Sequence, residues 1–303
     1  MTPDQLEARL AAAADHEAWI EAVADHFRAG GVFFGHGTDN ADDEAYWLIR
    51  HVEDWRDDLW EAPPDRRLIA RIVDVAGRRV RERRPLAYLL GEAWFAGLRF
   101  HVNENVLIPR SPMAEIIERC FTPWAELGEG ARVLDVGTGS GCLAIAAAWH
   151  CPGILVDATD VSKAALAVAK RNIERHGLGG RVRLHEADLF PATTDRFSVI
   201  MSNPPYVPER DVDALPPEYA HEPRLALAGG PDGLAPTEQL MRAARERLTP
   251  DGVLIVEVGA EAETLMRRHP RLPAVWLDFE RGGEGVFVLT ARQLEGYFGG
   301  GTR

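Results

Sequence analysis

The sequence predicts an α/β protein: a mostly parallel sheet with helices on both faces, preceded by a small helical region. From about residue 131, short apolar segments alternate with segments of helical periodicity, a pattern typical of parallel strands joined by helical crossovers. Before about residue 90, apolar residues recur at helical spacing instead. We therefore expect a helical domain over 1–90, a β-hairpin linker over 91–112 and a sheet domain over 113–303.

The helical part is predicted from its caps and its spacing. Thr2 and Gln5 form a capping box, and apolar side chains follow at helical spacing until Gly30. A second helix is predicted after Asn40, because acidic residues fill its first turn. A third is predicted from Asp65 to Arg84.

A β-hairpin is predicted over residues 94–108, where polar and apolar residues alternate. Its turn is placed at Asn103-Glu104-Asn105, because asparagine favours tight turns. We expect this hairpin to link the helical domain to the sheet domain.

The sheet is predicted from apolar segments separated by helices over 141–150 and 162–176. The final two segments are joined only by residues 281–284. Since this connection is too short for a helical crossover, the last two strands should pair antiparallel. The predicted strands are 131–137, 154–160, 181–188, 197–203, 252–258, 274–280 and 285–290.

Composition narrows the class of function. The chain has 303 residues, a net charge of -13 and a pI near 5.3, so its surface repels nucleic-acid phosphates overall and direct DNA binding is disfavoured. Cys120, Cys142 and Cys151 are too few and too irregular for a disulfide framework or a zinc site, so no metal is expected. The N-terminus lacks the pattern of a signal peptide. We expect a cytoplasmic protein that neither spans nor binds a membrane.

A glycine-rich loop follows the first predicted strand of the sheet. Glycines there let the backbone approach a ligand, and the next helix offers free N–H groups. A dinucleotide-binding fingerprint requires glycine where this chain has Cys142, so that alternative fits less well. The other alternative is a tight strand-to-helix turn without a ligand. The candidate cofactor-binding residues here are Asp135, Gly137, Thr138, Gly139 and Gly141.

Two further aspartates are predicted at the same edge of the sheet. Asp160 ends the second strand of the sheet domain, where a carboxylate can accept both hydroxyl groups of a ribose. Asp188 ends the third strand and could meet an adenine. The alternative for each is an ordinary helix cap or turn residue.

Asn203-Pro204-Pro205-Tyr206 follows the fourth strand directly. The prolines end the strand and hold Asn203 at the crevice where open α/β sheets bind ligands. Together with the glycine loop and Asp160, these residues resemble those of the amino-methyltransferases, which methylate planar nitrogens. The resemblance implies a Rossmann-like class I sheet that binds S-adenosylmethionine. It also implies that Asn203 and the Pro204 carbonyl accept the two N–H bonds of the acceptor, on which Tyr206 stacks, with Asn203 also bordering the cofactor.

Nearly the whole chain resembles the protein glutamine N5-methyltransferases. Release-factor enzymes of that family carry an IPRPDTE-like segment, whereas this chain reads IPRSP at 108–112. That segment, with 33–40, 206–233 and 279–290, is similar to the members that methylate a glutamine of large-subunit ribosomal protein three. The resemblance therefore implies this ribosomal protein as the substrate, free or in an assembling particle.

Other functions stay open at this point. Methylation of peptide release factors differs only in the substrate-facing segments. A DNA amino-methylase would need a basic groove and a domain for base flipping, and a non-enzymatic assembly factor would predict a damaged cofactor loop. The sequence leaves the oligomeric state open, with a homodimer as one alternative.

Three further features have two interpretations each. The basic run 78–84 could contact ribosomal RNA, but a solvated helix face paired with nearby acids is favoured. His36 and His221 are interpreted as hydrogen-bonded turn residues rather than catalytic ones. Arg110 could order a substrate loop or form a structural salt bridge.

Overall fold

The computed structural model describes residues 1–56 and 63–299. These residues form two compact units. The first unit contains Met1–Ala93 together with Leu215–His221, and the second contains Trp94–Ala214 and the chain from Glu222 onward. The return of residues 215–221 to the first unit was not predicted from the sequence.

The first unit is helical, with one break more than predicted. The capping box of Thr2 and Gln5 is present, but the first helix ends near Ala13. A second helix then begins after Asp15, whose side chain accepts a hydrogen bond from Ala18 N. The α-helices are Pro3–Ala12 (α1), His16–Ala29 (α2), Ala41–Val52 (α3), Ile69–Glu82 (α4) and Leu86–Leu90 (α5), with a 3₁₀ helix at Arg66–Leu68 before α4.

The core of the helical unit contains the apolar faces of these helices. Burial of such side chains away from water is the main source of stability in a unit of this kind. The Trp19 indole N–H also donates to the Leu10 carbonyl at 2.9 Å, so the polar atom of this ring is paired inside the core. Fully buried members of the core are Leu6, Leu10, Trp19, Phe27, Leu48, Ile49 and Ile72.

A buried ion cluster holds residues 215–221 in the helical unit. Glu218 is fully buried and accepts hydrogen bonds from Arg79 at 3.1 Å, Arg83 at 2.8 Å and the Phe33 backbone N–H at 2.8 Å. Arg79 is also fully buried and pairs with Glu44. The favoured interpretation of 78–84 as a paired segment is therefore supported, except that Arg79 lies in the core instead of on a solvated face.

The hairpin turns at a different place from the one predicted. Strands Glu92–Phe95 (β1) and Leu98–His101 (β2) form a two-stranded sheet, and the turn is Ala96-Gly97, with φ of 48° and 75°. Positive φ at both central residues is what a two-residue hairpin turn of type I′ requires. Placing the turn at Asn103-Glu104-Asn105 was wrong, because those residues lie after β2.

The second unit confirms the predicted sheet. Seven strands have the order β5-β4-β3-β6-β7-β9-β8; β3 to β7 pair parallel, while β9 pairs antiparallel with both β7 and β8. The strands are Arg132–Val136 (β3), Leu155–Asp160 (β4), Val182–Glu186 (β5), Phe197–Ser202 (β6), Leu248–Glu257 (β7), Val275–Trp276 (β8) and Val286–Thr290 (β9).

The helices of this unit connect and cover the strands. The two predicted crossover helices are present, and Ser162 caps the second by accepting from Ala165 N. The helices are Ala114–Glu118 (α6), Cys142–His150 (α7), Lys163–Arg175 (α8), Glu209–Val212 (α9), Ala235–Ala244 (α10), Ala262–Arg268 (α11) and Ala291–Phe298 (α12).

One cysteine pair forms a bond that the sequence analysis did not predict. Cys120 and Cys151 are joined, with Cα atoms 5.3 Å apart, a separation typical of disulfides. Cys142 is a free thiol. A separation of 31 residues along the chain gives no sequence signal for this pairing.

Candidate active site

A cavity of about 300 Å³ opens at the carboxyl ends of β3, β4 and β6, which is large enough for a small-molecule ligand. Parallel strands bring their carboxyl ends to one edge of a sheet, so residues distant in sequence meet there. Of the residues predicted from sequence, the cavity is lined by Gly137, Thr138, Gly139, Asp160, Asp188, Asn203, Pro204 and Pro205.

The glycine loop that follows β3 has a backbone conformation that residues with a side chain rarely adopt. Gly137, Gly139 and Gly141 have φ of 73°, 55° and 81°, values in the left-handed region that favours glycine. Gly137 N and Thr138 N both donate to the Thr159 carbonyl at 2.9 Å. The loop is therefore anchored on β4. Because its glycines have no Cβ atoms, the backbone is open to the cavity.

Asp135 supports this loop from below. It is fully buried and is not among the cavity-lining residues. One carboxyl oxygen accepts from the Thr138 hydroxyl at 2.6 Å and from Ala144 N at 3.2 Å. Burial raises the pKa of Asp135 to about 7, against the lowering effect of these hydrogen bonds.

The aspartates that end β4 and follow β5 border the cavity. Asp160 accepts from Gly139 N at 2.9 Å through one oxygen and from Ser162 N at 2.8 Å through the other. It therefore ties the glycine loop to the start of α8. Each oxygen keeps a further lone pair for a ligand. Asp188 lines the cavity two residues after β5 ends.

The Asn203-Pro204-Pro205-Tyr206 segment begins where β6 ends. Asn203 is half-buried and Pro204 is buried, and the preceding Ser202 hydroxyl donates to the Val136 carbonyl at 2.7 Å. The strand end is therefore fixed against β3. Tyr206 is absent from the cavity lining, and its hydroxyl donates to Glu257 at 3.3 Å.

Glu257 is the site residue that sequence reasoning missed. It is the last residue of β7 and is 5% exposed. Ser111 Oγ donates to it at 2.6 Å, and the Asn203 side chain acts to lower its pKa. Burial raises the pKa of Glu257 to about 7. A single carboxylate in the apolar segment 252–258 was the available signal, since buried charges need a reason.

The segment 108–112 is held beside this carboxylate at two points. Ser111 forms one of them. Arg110 forms the other, with guanidinium nitrogens donating to the two carboxyl oxygens of Glu222, each at 2.6 Å. Glu222 also accepts from Ile108 N at 3.0 Å. The structural salt bridge of Arg110 is therefore present. Arg110 also lines the cavity, and its ordering of a substrate loop stays a prediction.

The remaining candidates lie elsewhere. His221 contacts the Glu82 carbonyl at 3.0 Å, and the His36 ring lies 4.5 Å from that of Tyr219, both within the helical unit. Over residues 1–56 and 63–299, no cluster of three or more His, Cys, Asp or Glu side chains could hold a metal ion. Within the same described ranges, no helix has the length and apolar character needed to cross a membrane.

Comparisons with known proteins show which families this chain resembles. The family model described as "Methyltransferase small domain" matches residues 121–216. The chain is 43% identical to the ribosomal protein uL3 glutamine methyltransferase of Bordetella pertussis over 91% of this chain and 94% of that protein. For the enzyme of the same name from Neisseria meningitidis serogroup A the values are 44%, 91% and 93%. A solved methyltransferase from Pyrococcus furiosus is 23% identical with a TM-score of 0.46, covering 64% of this chain and 89% of that one.

Proposed function

Since this chain belongs to the family of the ribosomal protein uL3 glutamine methyltransferases, we propose that it methylates uL3, the large-subunit ribosomal protein three. The methyl group would pass from S-adenosylmethionine to the side-chain amide nitrogen of a glutamine. Identity of 43–44% over 91% of the chain is the observation that carries this proposal. We also propose that it acts in the cytoplasm, where ribosomes assemble.

The residues around the cavity fit S-adenosylmethionine. When bound, this cofactor supplies an electrophilic methyl group on a sulfonium sulfur. We propose that Asp160 accepts the ribose hydroxyls through its remaining lone pairs and that Asp188 borders the adenine. Gly137, Thr138 and Gly139 would let the backbone approach the cofactor closely. Asp135 and Gly141 would act by shaping that loop, since neither lines the cavity.

Asn203 and Pro204 would hold the acceptor amide. An amide nitrogen is a poor nucleophile because its lone pair is delocalised, so the site must fix both N–H bonds and aim the nitrogen at the methyl carbon. Asn203 Oδ1 and the Pro204 carbonyl supply two acceptors, and both residues line the cavity. Pro205 keeps the exit rigid, and Tyr206 would stack on the amide plane. Orientation and electrostatics are then the main catalytic contributions.

The helical unit would recognise the protein substrate. We propose this role for residues 1–90, and residues 215–221, which belong to the same unit, would contribute to it. Direct contact with DNA is disfavoured by the net charge of -13.

The test is methyl transfer from labelled S-adenosylmethionine to purified uL3, with a peptide release factor and duplex DNA offered in parallel. Label on a glutamine of uL3 alone is the expected result, and Asn203→Ala provides the inactive control. Label on the release factor would support glutamine methylation but overturn uL3 as the substrate. Label on DNA alone would overturn the proposal.

A further inference from the structure

The hydrogen bonds around Glu257 determine how the Asn203 side chain is oriented. Glu257 accepts from Ser111 Oγ at 2.6 Å and from the Tyr206 hydroxyl at 3.3 Å. Asn203 lies beside it, because Ser202 pairs with Val256 between β6 and β7, and its side chain acts to lower the pKa of Glu257, as a donor does. An ionised carboxylate has acceptors only. Asn203 must therefore present Nδ2 to Glu257, which leaves Oδ1 directed elsewhere.

This orientation matters because the two ends of a carboxamide are nearly the same size. Packing alone cannot distinguish Oδ1 from Nδ2, so the hydrogen-bond partner decides which end faces the cavity. An Nδ2 facing the acceptor amide would oppose donor to donor. Only the orientation with Oδ1 toward the cavity can accept an N–H bond of the substrate.

The Tyr206 ring is fixed on the same segment of chain. A Cβ atom added at Gly259 would lie 2.8 Å from Tyr206 Cε2, closer than such atoms approach. The ring therefore packs directly on the backbone two residues after Glu257. Tyr206 and Asn203 are thus both positioned from the end of β7.

Accepting the function proposed above, we infer that Glu257 is a positioning residue: its carboxylate orients Asn203 with Oδ1 toward the acceptor amide and anchors the Tyr206 hydroxyl. It does not touch the reacting atoms in this assignment. Ser111 fixes the carboxylate from the segment 108–112.

The charge of Glu257 controls this orientation. Burial raises its pKa to about 7, while Ser111, Tyr206, Arg110 and Asn203 act in the lowering direction. Arg110 is itself neutralised by Glu222. When protonated, the carboxyl group becomes a donor that Asn203 Oδ1 can accept, so the carboxamide can reverse. Turnover should therefore rise with pH through about 7.

The first test compares Glu257→Gln with Glu257→Leu in methyl transfer to uL3. The Gln variant keeps an acceptor for Asn203 Nδ2, so kcat should stay within about tenfold of wild type. The Leu variant keeps the volume without the hydrogen bonds, and kcat should fall by about 100-fold while cofactor affinity changes less than about threefold. Glu263→Gln, at an exposed residue, is the matched control.

Equal losses in the Gln and Leu variants would overturn the positioning role. A collapse of cofactor affinity in Glu257→Leu would also overturn it, because Glu257 would then support the cofactor site instead.

A second readout does not depend on catalysis. In the ¹⁵N-labelled full chain, the side-chain amide signal of Asn203, identified by its loss in Asn203→Ala, should shift with a midpoint near pH 7 and should not do so in Glu257→Gln. If this holds but uL3 is not methylated, the proposed function fails alone. If uL3 is methylated and the Asn203 amide signal shifts with pH in the same way in wild type and Glu257→Gln, this inference fails alone.

Discussion

Glu218 and Glu257 are both buried carboxylates, but their partners differ. Burial acts to raise the pKa of Glu218, yet the hydrogen bonds led by Arg83 outweigh it and the pKa is lowered. The donors around Glu257 are mainly neutral: Ser111, Tyr206 and Asn203. The effect of burial therefore outweighs theirs, and the pKa of Glu257 rises to about 7. The arginine partners of Glu218 thus keep this carboxylate charged, whereas the neutral donors of Glu257 leave its charge adjustable near neutral pH.

The ion cluster of the helical unit can be broken at its shared carboxylate. Glu218→Gln leaves Arg79 buried with only Glu44 as a counter-charge, and such a loss costs about 3–5 kcal/mol of the free energy of unfolding. Denaturant unfolding monitored by circular dichroism measures it. The control is Glu263→Gln, which removes an exposed pair with Arg267 and should cost less than about 0.5 kcal/mol. Equal costs would mean that burial adds nothing to the cluster.

Beside Glu257, removal of the Asn203 side chain should lower the rate of methyl transfer and leave folding intact. Asn203→Ala should lower turnover about 10³-fold, equivalent to about 4 kcal/mol, because an acceptor for the substrate N–H is lost. Cofactor affinity, measured by calorimetry, should stay within about tenfold. If affinity collapsed instead, Asn203 would be mainly a cofactor or structural residue.

The two carboxylates should give opposite pH dependence of stability. For Glu257, a folded pKa near 7 against an ordinary 4.5 contributes stability below about pH 4.5 that is lost as pH rises to 7, about 3 kcal/mol in all. The lowered pKa of Glu218 contributes stability above its ordinary pKa that is lost at acidic pH. The stability difference between wild type and Glu257→Gln should therefore fall as pH rises from 4.5 to 7. The difference between wild type and Glu218→Gln should stay nearly constant in that range and fall as pH drops below about 4.5. Slopes of the same sign would contradict the comparison.

A third carboxylate, half-buried and open to the cavity, should matter for the ligand more than for the fold. Asp160→Ala should weaken S-adenosylmethionine by about 1–3 kcal/mol, because polar partners lose their acceptor. Calorimetric titration measures this, and Asp188→Ala is a useful comparison at the same edge. Unchanged affinity in Asp160→Ala would remove the ribose role.

The features that could be predicted from the sequence depend on residues close together in the chain. Apolar segments bounded by glycine or proline predicted every strand of the large sheet, and the short connection at 281–284 predicted that its last two strands pair antiparallel. The asparagines near 103 do form a turn, with Asn103 Oδ1 accepting from Asn105 N at 3.0 Å. They were wrong only as the hairpin turn, which Ala96 occupies although alanine seldom favours positive φ.

The features that were missed depend on partners far away in the chain. The pairing of Ser111 with Glu257 spans 146 residues and that of Arg79 with Glu218 spans 139, so no local pattern indicates either. The break before Asp15 had a cap residue as its only signal, within a run that otherwise favours one helix.

The return of residues 215–221 to the helical unit makes that unit discontinuous in the gene. A fragment that ends at residue 93 would carry Arg79 without Glu218, and a fragment that begins at 94 would carry Glu218 without its arginines. A fragment meant to contain this unit alone must therefore supply residues 1–93 and 215–221 together.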